Sequence, residues 1–174
     1  FPDTSTQIAM DCPPDKEPID PFLHAAAIFR HAGVIVPEII AKDRQSGFLL
    51  VTDLGRTTFL DALQQKSDPA FAVQLYTQAF EALIKIQTAS RPNIFPTYQD
   101  ALCRRNLALF SEWYLKRHLK AQLTATEQDT LSSSFEKITN QALSQPQVFA
   151  HRDYIVRNLM IGKTCPGILD FQGE

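Results

Sequence analysis

The octet HRDYIVRN at residues 151–158, followed by ILDF at 168–171, holds the residue types best suited to chemistry. Between Asn158 and Asp170 lie the apolar Leu159, Met160 and Ile161, the turn-forming GKTCPG, and the apolar Ile168 and Leu169. Two short apolar arms around a Gly/Pro turn read as a hairpin, which brings its open ends together. Asn158 and Asp170 are therefore expected to face each other. An amide oxygen beside a carboxylate suits a hard divalent cation, with places left for water and phosphate. Asp153 then stands near the cation without having to bind it, where a general base belongs. Arg157 offers positive charge to a reaction that spreads negative charge, and His151 is expected to pack and hydrogen-bond beneath the loop. Taken singly, each residue has an ordinary explanation, since a loop Asp caps a turn and a surface Arg is solvated. The set is what points to chemistry.

Several elements must hold these residues in place. TQIAM (6–10) alternates weakly and reads as a strand, ended by the breaker cluster DCPPDKEP. Asp20 is expected to cap a helix with Pro21 at its first helical position and Gly33 as its stop, and Phe22, Ala25, Ala26 and Phe29 form its apolar face. EIIAK (38–42) and GFLLVTD (47–53) read as an antiparallel hairpin. Gly55 breaks the second of these strands, and from residue 57 the chain reads as mainly helical. Asp68–Pro69 opens a helix with the stripe Ala72, Leu75, Tyr76, Ala79, Leu83 and Ile86. Residues 98–119 place Leu102, Leu109, Phe110 and Trp113 on one face, and Thr124 with Glu127 spells a capping box before Leu131, Phe135, Ile138 and Ala142. The fold class is α+β: a small sheet-rich part over 1–54, then a larger helical part over 55–174 bearing the catalytic loop and metal-binding hairpin.

Composition fits this reading. An apolar fraction of 44%, a charged fraction of 21% and a net charge of -2 describe an ordinary globular chain, with no basic excess for nucleic acid. No apolar run is long enough to span a bilayer. Cys12, Cys103 and Cys165 are odd in number and widely spaced, as expected of thiols in the reducing cytoplasm. The chain lacks an initiator Met and stops four residues after Asp170, as expected of a segment truncated at both ends.

HxDxxxxN, a short hairpin and DF together resemble the catalytic loop and metal-binding segment of protein-kinase-like folds. The chain as a whole resembles the aminoglycoside phosphotransferase/choline kinase family. More narrowly, it resembles bacterial cell-wall sugar kinases acting on N-acetylmuramate and N-acetylglucosamine at the anomeric hydroxyl. IAMDCPPDKE is similar to that family's third-strand segment, FLLVTDLG to its inter-lobe hinge, LALFSEWYL to its helical insert, and HRDYIVRNLMI with PGILDFQ to its catalytic core. The resemblance implies a two-lobe kinase-like fold that uses ATP and Mg²⁺. It makes Asp153 the base and Asn158 and Asp170 the metal ligands, and brings the backbone of Thr52, Asp53 and Leu54 to adenine. Choline or an aminoglycoside is the alternative acceptor, and a nucleotide-binding pseudokinase is the non-catalytic alternative.

Several positions depart from the family pattern. The first strand has no lysine for the phosphates, although Lys16 follows the two prolines, and the glycine-rich loop is absent. DFQGE stands where DFQDA is expected, and Asn106 where the insert is expected to carry an acid. For Asn106 and Trp113 two explanations compete, contact with the acceptor sugar or burial in the helical core, and the stripe assigns Trp113 to the core.

Overall fold

A computed structural model of the chain describes residues 6–16, 18–97, 99–162 and 166–171. It is an α+β structure with two small antiparallel sheets and five α-helices among the described residues. The first sheet joins strand β1 (Gln7–Asp11) to the expected hairpin of β2 (Ile39–Asp43) and β3 (Phe48–Thr52), in the order β1-β3-β2. Met10 pairs with Leu49 and Ile8 with Val51. Directly opposed residues share a face, and on this one Leu49 and Val51 are buried.

Against that face lies helix α1 (Ile19–His31), burying Phe22, Ala25, Ala26 and Phe29 as its spacing predicts. Its start differs from the expected cap at Asp20. Ile19 is buried and already helical, Pro18 occupies the cap position, and no side chain caps the end. Asp20 instead sits in the first turn, where a carboxylate favours the positive end of the helix dipole, and accepts a hydrogen bond from Arg44 Nε at 2.9 Å. Gly33, at φ +81°, ends the helix as expected.

The second sheet has the order β4-β5-β6, from β4 (Thr57–Thr58), β5 (Leu159–Ile161) and β6 (Gly167–Ile168). The hairpin read from the sequence is thus present, with Leu159 opposite Ile168 and Met160 opposite Gly167. Its second arm is also held by the chain after α1, because the Ile168 amide donates to the Ile35 carbonyl at 2.8 Å. The turn residue Cys165 lies outside the described residues.

Helix α2 (Phe59–Gln65) begins at a two-way capping box between Thr58 and Asp61. Helix α3 (Pro69–Thr88) begins at Asp68, whose side chain accepts from the Ala70 amide at 3.0 Å. α3 buries Leu75, Ala79, Ala82 and Ile86, so Tyr76 leaves the expected inner stripe. It joins Val73, Phe80 and Ile84 on an exposed apolar stripe. A helix that is apolar on two faces gives no unique inward direction from periodicity. Phe59, Ile86, Ile168, Phe171 and the inner faces of α1 and β3 share one core cluster.

Residues 1–95 and 148–174 form one compact unit, and residues 96–147 a second. The second contains α4 (Asp100–Leu109), which runs into a π-helical segment over Phe110–His118, and α5 (Ala125–Leu143). A π-helix closes i to i+5 hydrogen bonds, as Leu119 N to Tyr114 O does here at 2.9 Å. This wider turn rotates the side chains relative to an α-helix. Leu109, Phe110 and Trp113, expected on one packed face, are all exposed, and Cys103 is the buried residue of α4. α5 starts at the predicted Thr124/Glu127 box, but its fully buried side chain is Thr139, and Ile138 is half exposed.

Candidate active site

Both ends of the β5–β6 hairpin are tied together. The Leu169 amide donates to the Asn158 carbonyl at 2.9 Å, which continues the ladder and sets Asn158 and Asp170 side by side. The 3₁₀ turn Val156–Asn158 precedes β5, and the Asn158 amide closes on the Ile155 carbonyl at 2.9 Å. Asn158 Nδ2 then donates to Asp153 Oδ2 at 3.0 Å and to the Asp153 carbonyl at 3.1 Å, and reaches Asp170 Oδ2 at 3.3 Å. The three residues singled out by spacing therefore meet in space. Arg157 is exposed on the same short turn.

Backbone strain marks one member of this group and one neighbour. Arg152 has φ +69° and Asp170 φ +57°, in the left-handed region that costs a side-chain-bearing residue about 1–3 kcal/mol. Such conformations persist where the surroundings over-determine them. Here His151 and Phe171, next to the strained residues, are both buried. Phe171 stacks on Phe22 of α1 at 4.9 Å and 14°, and His151 stacks on Phe29 at 6.2 Å and 16°. One face of α1 thus fixes the chain beside Asp153 and beside Asp170. The expected packing of His151 is there, but neither ring nitrogen makes a well-formed hydrogen bond. Burial pushes its pKa below the ordinary imidazole value, against opposing effects of the Leu169 carbonyl and the charges of Asp170 and Asp153.

The crossing segment is equally constrained. Thr52 belongs to β3, with its amide donating to the Glu38 carbonyl at 3.0 Å and its hydroxyl accepting from the Glu38 amide at 2.9 Å. Asp53 and Leu54 follow outside the ladder. The Asp53 carboxylate accepts from Thr6 Oγ1 at 2.6 Å and from the Gly55 amide at 2.9 Å. The Thr6 hydroxyl, and then the Gly55 amide, hold its pKa below the usual carboxylate value. Gly55 has φ +118°, and a Cβ there would come within 3.1 Å of the Ile161 carbonyl. A Cβ on Gly167 would meet Leu54 Cδ1 at 3.0 Å. The proposed nucleotide segment and the hairpin bearing Asn158 and Asp170 are therefore in direct contact.

The donor set fits Mg²⁺. Asp170 and the amide oxygen of Asn158 are hard oxygen ligands, and Mg²⁺ commonly takes one or two protein oxygens and fills its octahedron with water and phosphate. With its nitrogen turned to Asp153, Asn158 has its Oδ1 as the acceptor for a cation. Asn106 and Trp113 lie in the second unit. Asn106 is exposed on α4, and Trp113 is 56% exposed on the π-helical segment with the Arg117 guanidinium 4.0 Å from its ring centre. The assignment of Trp113 to the helical core is thereby corrected.

Sequence reasoning missed three ties: Thr6 to Asp53, Ile35 to Ile168, and the hydrogen bond from Tyr154 Oη to the Ala79 carbonyl at 2.7 Å. All three are long-range, and no local pattern announces them.

A sequence model of the family described as "Phosphotransferase enzyme family" matches residues 3–173. The chain belongs to that family. It is 43% identical over 165 residues to the N-acetylmuramate/N-acetylglucosamine kinase of Pseudomonas aeruginosa, covering 95% of this chain and 48% of that protein. It is 37% identical over 172 residues to the kinase of the same name from Neisseria meningitidis serogroup B, covering 99% and 51%. For the Pseudomonas putida kinase of that name the identity is 40%, with 95% and 48% covered. The chain spans about half the length of the curated relatives it matches.

Proposed function

We propose that this chain carries the catalytic loop and metal-binding hairpin of a kinase that transfers the γ-phosphoryl group of ATP to an amino sugar. The acceptor is of the N-acetylmuramate or N-acetylglucosamine kind, phosphorylated at its anomeric hydroxyl. The observation that carries this reading is the junction of Asp153, Asn158 and Asp170 through one amide nitrogen, at 3.0 and 3.3 Å. The relatives' names favour the amino sugar over choline or an aminoglycoside.

Asp153 accepts the proton of the attacking hydroxyl as that oxygen forms a bond to the γ-phosphorus and the bond to the β-phosphate oxygen breaks, releasing ADP. Asp170 and Asn158 hold Mg²⁺, which when bound neutralises charge on the phosphates. Arg157 offers a further positive charge to the transferring group. The backbone of Thr52, Asp53 and Leu54 receives adenine. The small-lobe/large-lobe division near residue 54 belongs to the same proposal; its support is the crossing at Asp53–Gly55, between the end of one sheet and the start of the other. So does a cytoplasmic location, where ATP is available.

A nucleotide-binding protein without transfer activity is the second reading, favoured by the absence of lysine from β1 (QIAMD). An assay coupled to ADP formation, run over sugars and amino alcohols, decides between them. The kinase reading requires ATP- and Mg²⁺-dependent phosphorylation of the amino sugar, lost in Asp153→Asn. Nucleotide binding with no turnover on any acceptor supports the second.

A further inference from the structure

Asp153 is exposed, and the partner its carboxylate shows is Asn158. Within the loop the bonds are local: the Ile155 amide to the Asp153 carbonyl at 3.0 Å, the Asn158 amide to the Ile155 carbonyl, and Asn158 Nδ2 to Asp153. A loop whose internal bonds are this local can be rigid and still swing as a body unless it is anchored near Asp153. What fixes its direction is its attachment to the scaffold on both sides of Asp153. On the N-terminal side His151 is buried against α1 and Phe171. On the other side the Leu169 amide holds the Asn158 carbonyl at the far end of the loop, and the attachment next to Asp153 is Tyr154. Its ring meets His151 edge-on at 5.4 Å, and its hydroxyl reaches the carbonyl of Ala79, in the middle of α3 and 3% exposed.

We propose that Tyr154 is a positioning residue for the catalytic base, its phenol pinning the loop to α3 so that the Asp153 carboxylate keeps the orientation Asn158 shares. This rests on the phosphotransfer reading above. The choice of Tyr over an aliphatic residue follows from the geometry. An apolar side chain could fill the space beside His151, but only a hydroxyl at the end of a rigid ring donates to a fixed point on α3 and so sets a distance. Ala79 O lies inside a helix and can accept from the helix and from Tyr154 together, since a carbonyl has two lone pairs. Burial lifts the phenol pKa to about 12, so the donor keeps its proton throughout the working range of a kinase. The strained φ of Arg152 gives the pin a purpose, since a backbone held in a sparsely populated region relaxes when its anchors are removed.

The test is Tyr154→Phe in the active protein, beside Ser90→Ala as a control. Ser90 accepts from the Phe149 amide at 2.7 Å, a hydrogen bond of the same length made two residues before the 151–158 loop begins. Tyr154→Phe is expected to lower kcat about tenfold or more, the cost of a small misplacement at a reacting centre. KM for ATP and for the sugar should stay within about twofold, and Ser90→Ala should leave kcat unchanged. Because Tyr154 acts through Asp153, adding Tyr154→Phe to Asp153→Asn should cause little further loss, a failure of additivity expected of residues that work as one unit. An unchanged kcat in Tyr154→Phe, or full additivity with Asp153→Asn, overturns the proposal. A readout independent of turnover is the side-chain amide signal of Asn158 in ¹H–¹⁵N spectra, which should shift in Tyr154→Phe and not in Ser90→Ala. If the unaltered protein transfers no phosphate to any acceptor, the kinase reading fails, and this signal alone decides whether Tyr154 orients Asp153. An unmoved signal then overturns the positioning role as well.

Discussion

Asn158 and Asp153 are joined twice, since one amide nitrogen of Asn158 donates to both the carboxylate and the backbone carbonyl of Asp153, at 3.0 and 3.1 Å. The same nitrogen lies 3.3 Å from Asp170. Asn158 therefore keeps two like-charged groups in register, and in the proposed roles its own oxygen would meet the cation. If the proposed roles hold, replacing it with Ala removes a metal ligand and the tether on the base together. We expect Asn158→Ala to weaken Mg·ATP binding and also to slow turnover at saturating Mg·ATP by at least about tenfold, as loss of a positioned base does in part. A variant that regains full kcat once Mg·ATP is saturating would show that the tether has no catalytic role.

Asp170 and Asp153 should separate into two roles. Asp170→Ala removes a charged ligand, so calorimetry should show weakened Mg·ATP binding and the assay no transfer. Asp153→Asn keeps the size and the hydrogen-bonding shape, so nucleotide affinity should hold nearly constant while turnover falls by about 10²–10⁴-fold. Equal loss of nucleotide affinity in both variants contradicts the assignment.

His151 makes folding stability depend on pH. Its folded pKa lies below the ordinary imidazole value because the ring is buried. The unfolded chain therefore binds the proton first as pH falls. The contribution of His151 to stability is full above about pH 6.5 and declines below it, by at most about 1.4 kcal/mol per pH unit, until the folded ring also protonates. His151→Phe keeps an aromatic ring against Phe29 but takes up no proton. Urea midpoints at pH 7.5 and 5.5 should differ less in this variant than in the unaltered protein. Identical differences in the two would mean that His151 does not drive the acid limb.

Much of the site was legible because it is built from local chain geometry. GKTCPG between apolar arms can hardly avoid a hairpin, and the hairpin alone brings Asn158 to Asp170. Spacing along one loop placed Asp153. The Thr124/Glu127 box and the Gly33 stop are local too, and both were read correctly. What escaped depends on partners far away in sequence or on helix type. The stack of Phe22 on Phe171 joins residues far apart in the chain, and apolar spacing shows that Phe22 is inward without showing what it meets. Residues 98–119 fit an α-helical stripe, and nothing in the letters signals the switch to i to i+5 bonding after Leu109, which changes the directions of Phe110 and Trp113. At α1 the start was misplaced because burial of Ile19 outweighed the better capping chemistry of Asp20.

The stack of Phe22 on Phe171 should couple the core to the proposed metal site. The rings are 4.9 Å apart and nearly parallel, and both are almost fully buried. Phe171→Ala is expected to cost about 3–5 kcal/mol of stability, as large aromatic truncations in cores do. A double-mutant cycle with Phe22→Ala should return about 0.5–1.5 kcal/mol of coupling, read from denaturant midpoints. Phe171→Leu is the more telling variant, since it keeps most of the volume but not the ring stacking. It should fold, yet bind Mg·ATP more weakly, because Asp170 holds a left-handed backbone next to the anchor that was loosened. Intact affinity in a folded Phe171→Leu protein would limit the stack to stability.

Trp113 offers the sharpest contrast between stability and recognition. A core Trp truncated to Ala costs about 3–5 kcal/mol, but Trp113 is 56% exposed, and the Arg117 guanidinium over its ring is worth about 0.5–1 kcal/mol at such a site. Trp113→Ala should therefore lower Tm by no more than about 4 °C. An exposed aromatic ring can stack on the apolar face of a sugar. If the π-helical segment serves the acceptor, Trp113→Ala should raise the KM for the amino sugar about tenfold and leave the KM for ATP within about twofold. Asn106→Ala, on the exposed side of α4, should show the same selectivity if it hydrogen-bonds the sugar. Equal effects on both Michaelis constants, or none, would remove these two residues from the acceptor site and leave the catalytic assignment of Asp153, Asn158 and Asp170 as it stands.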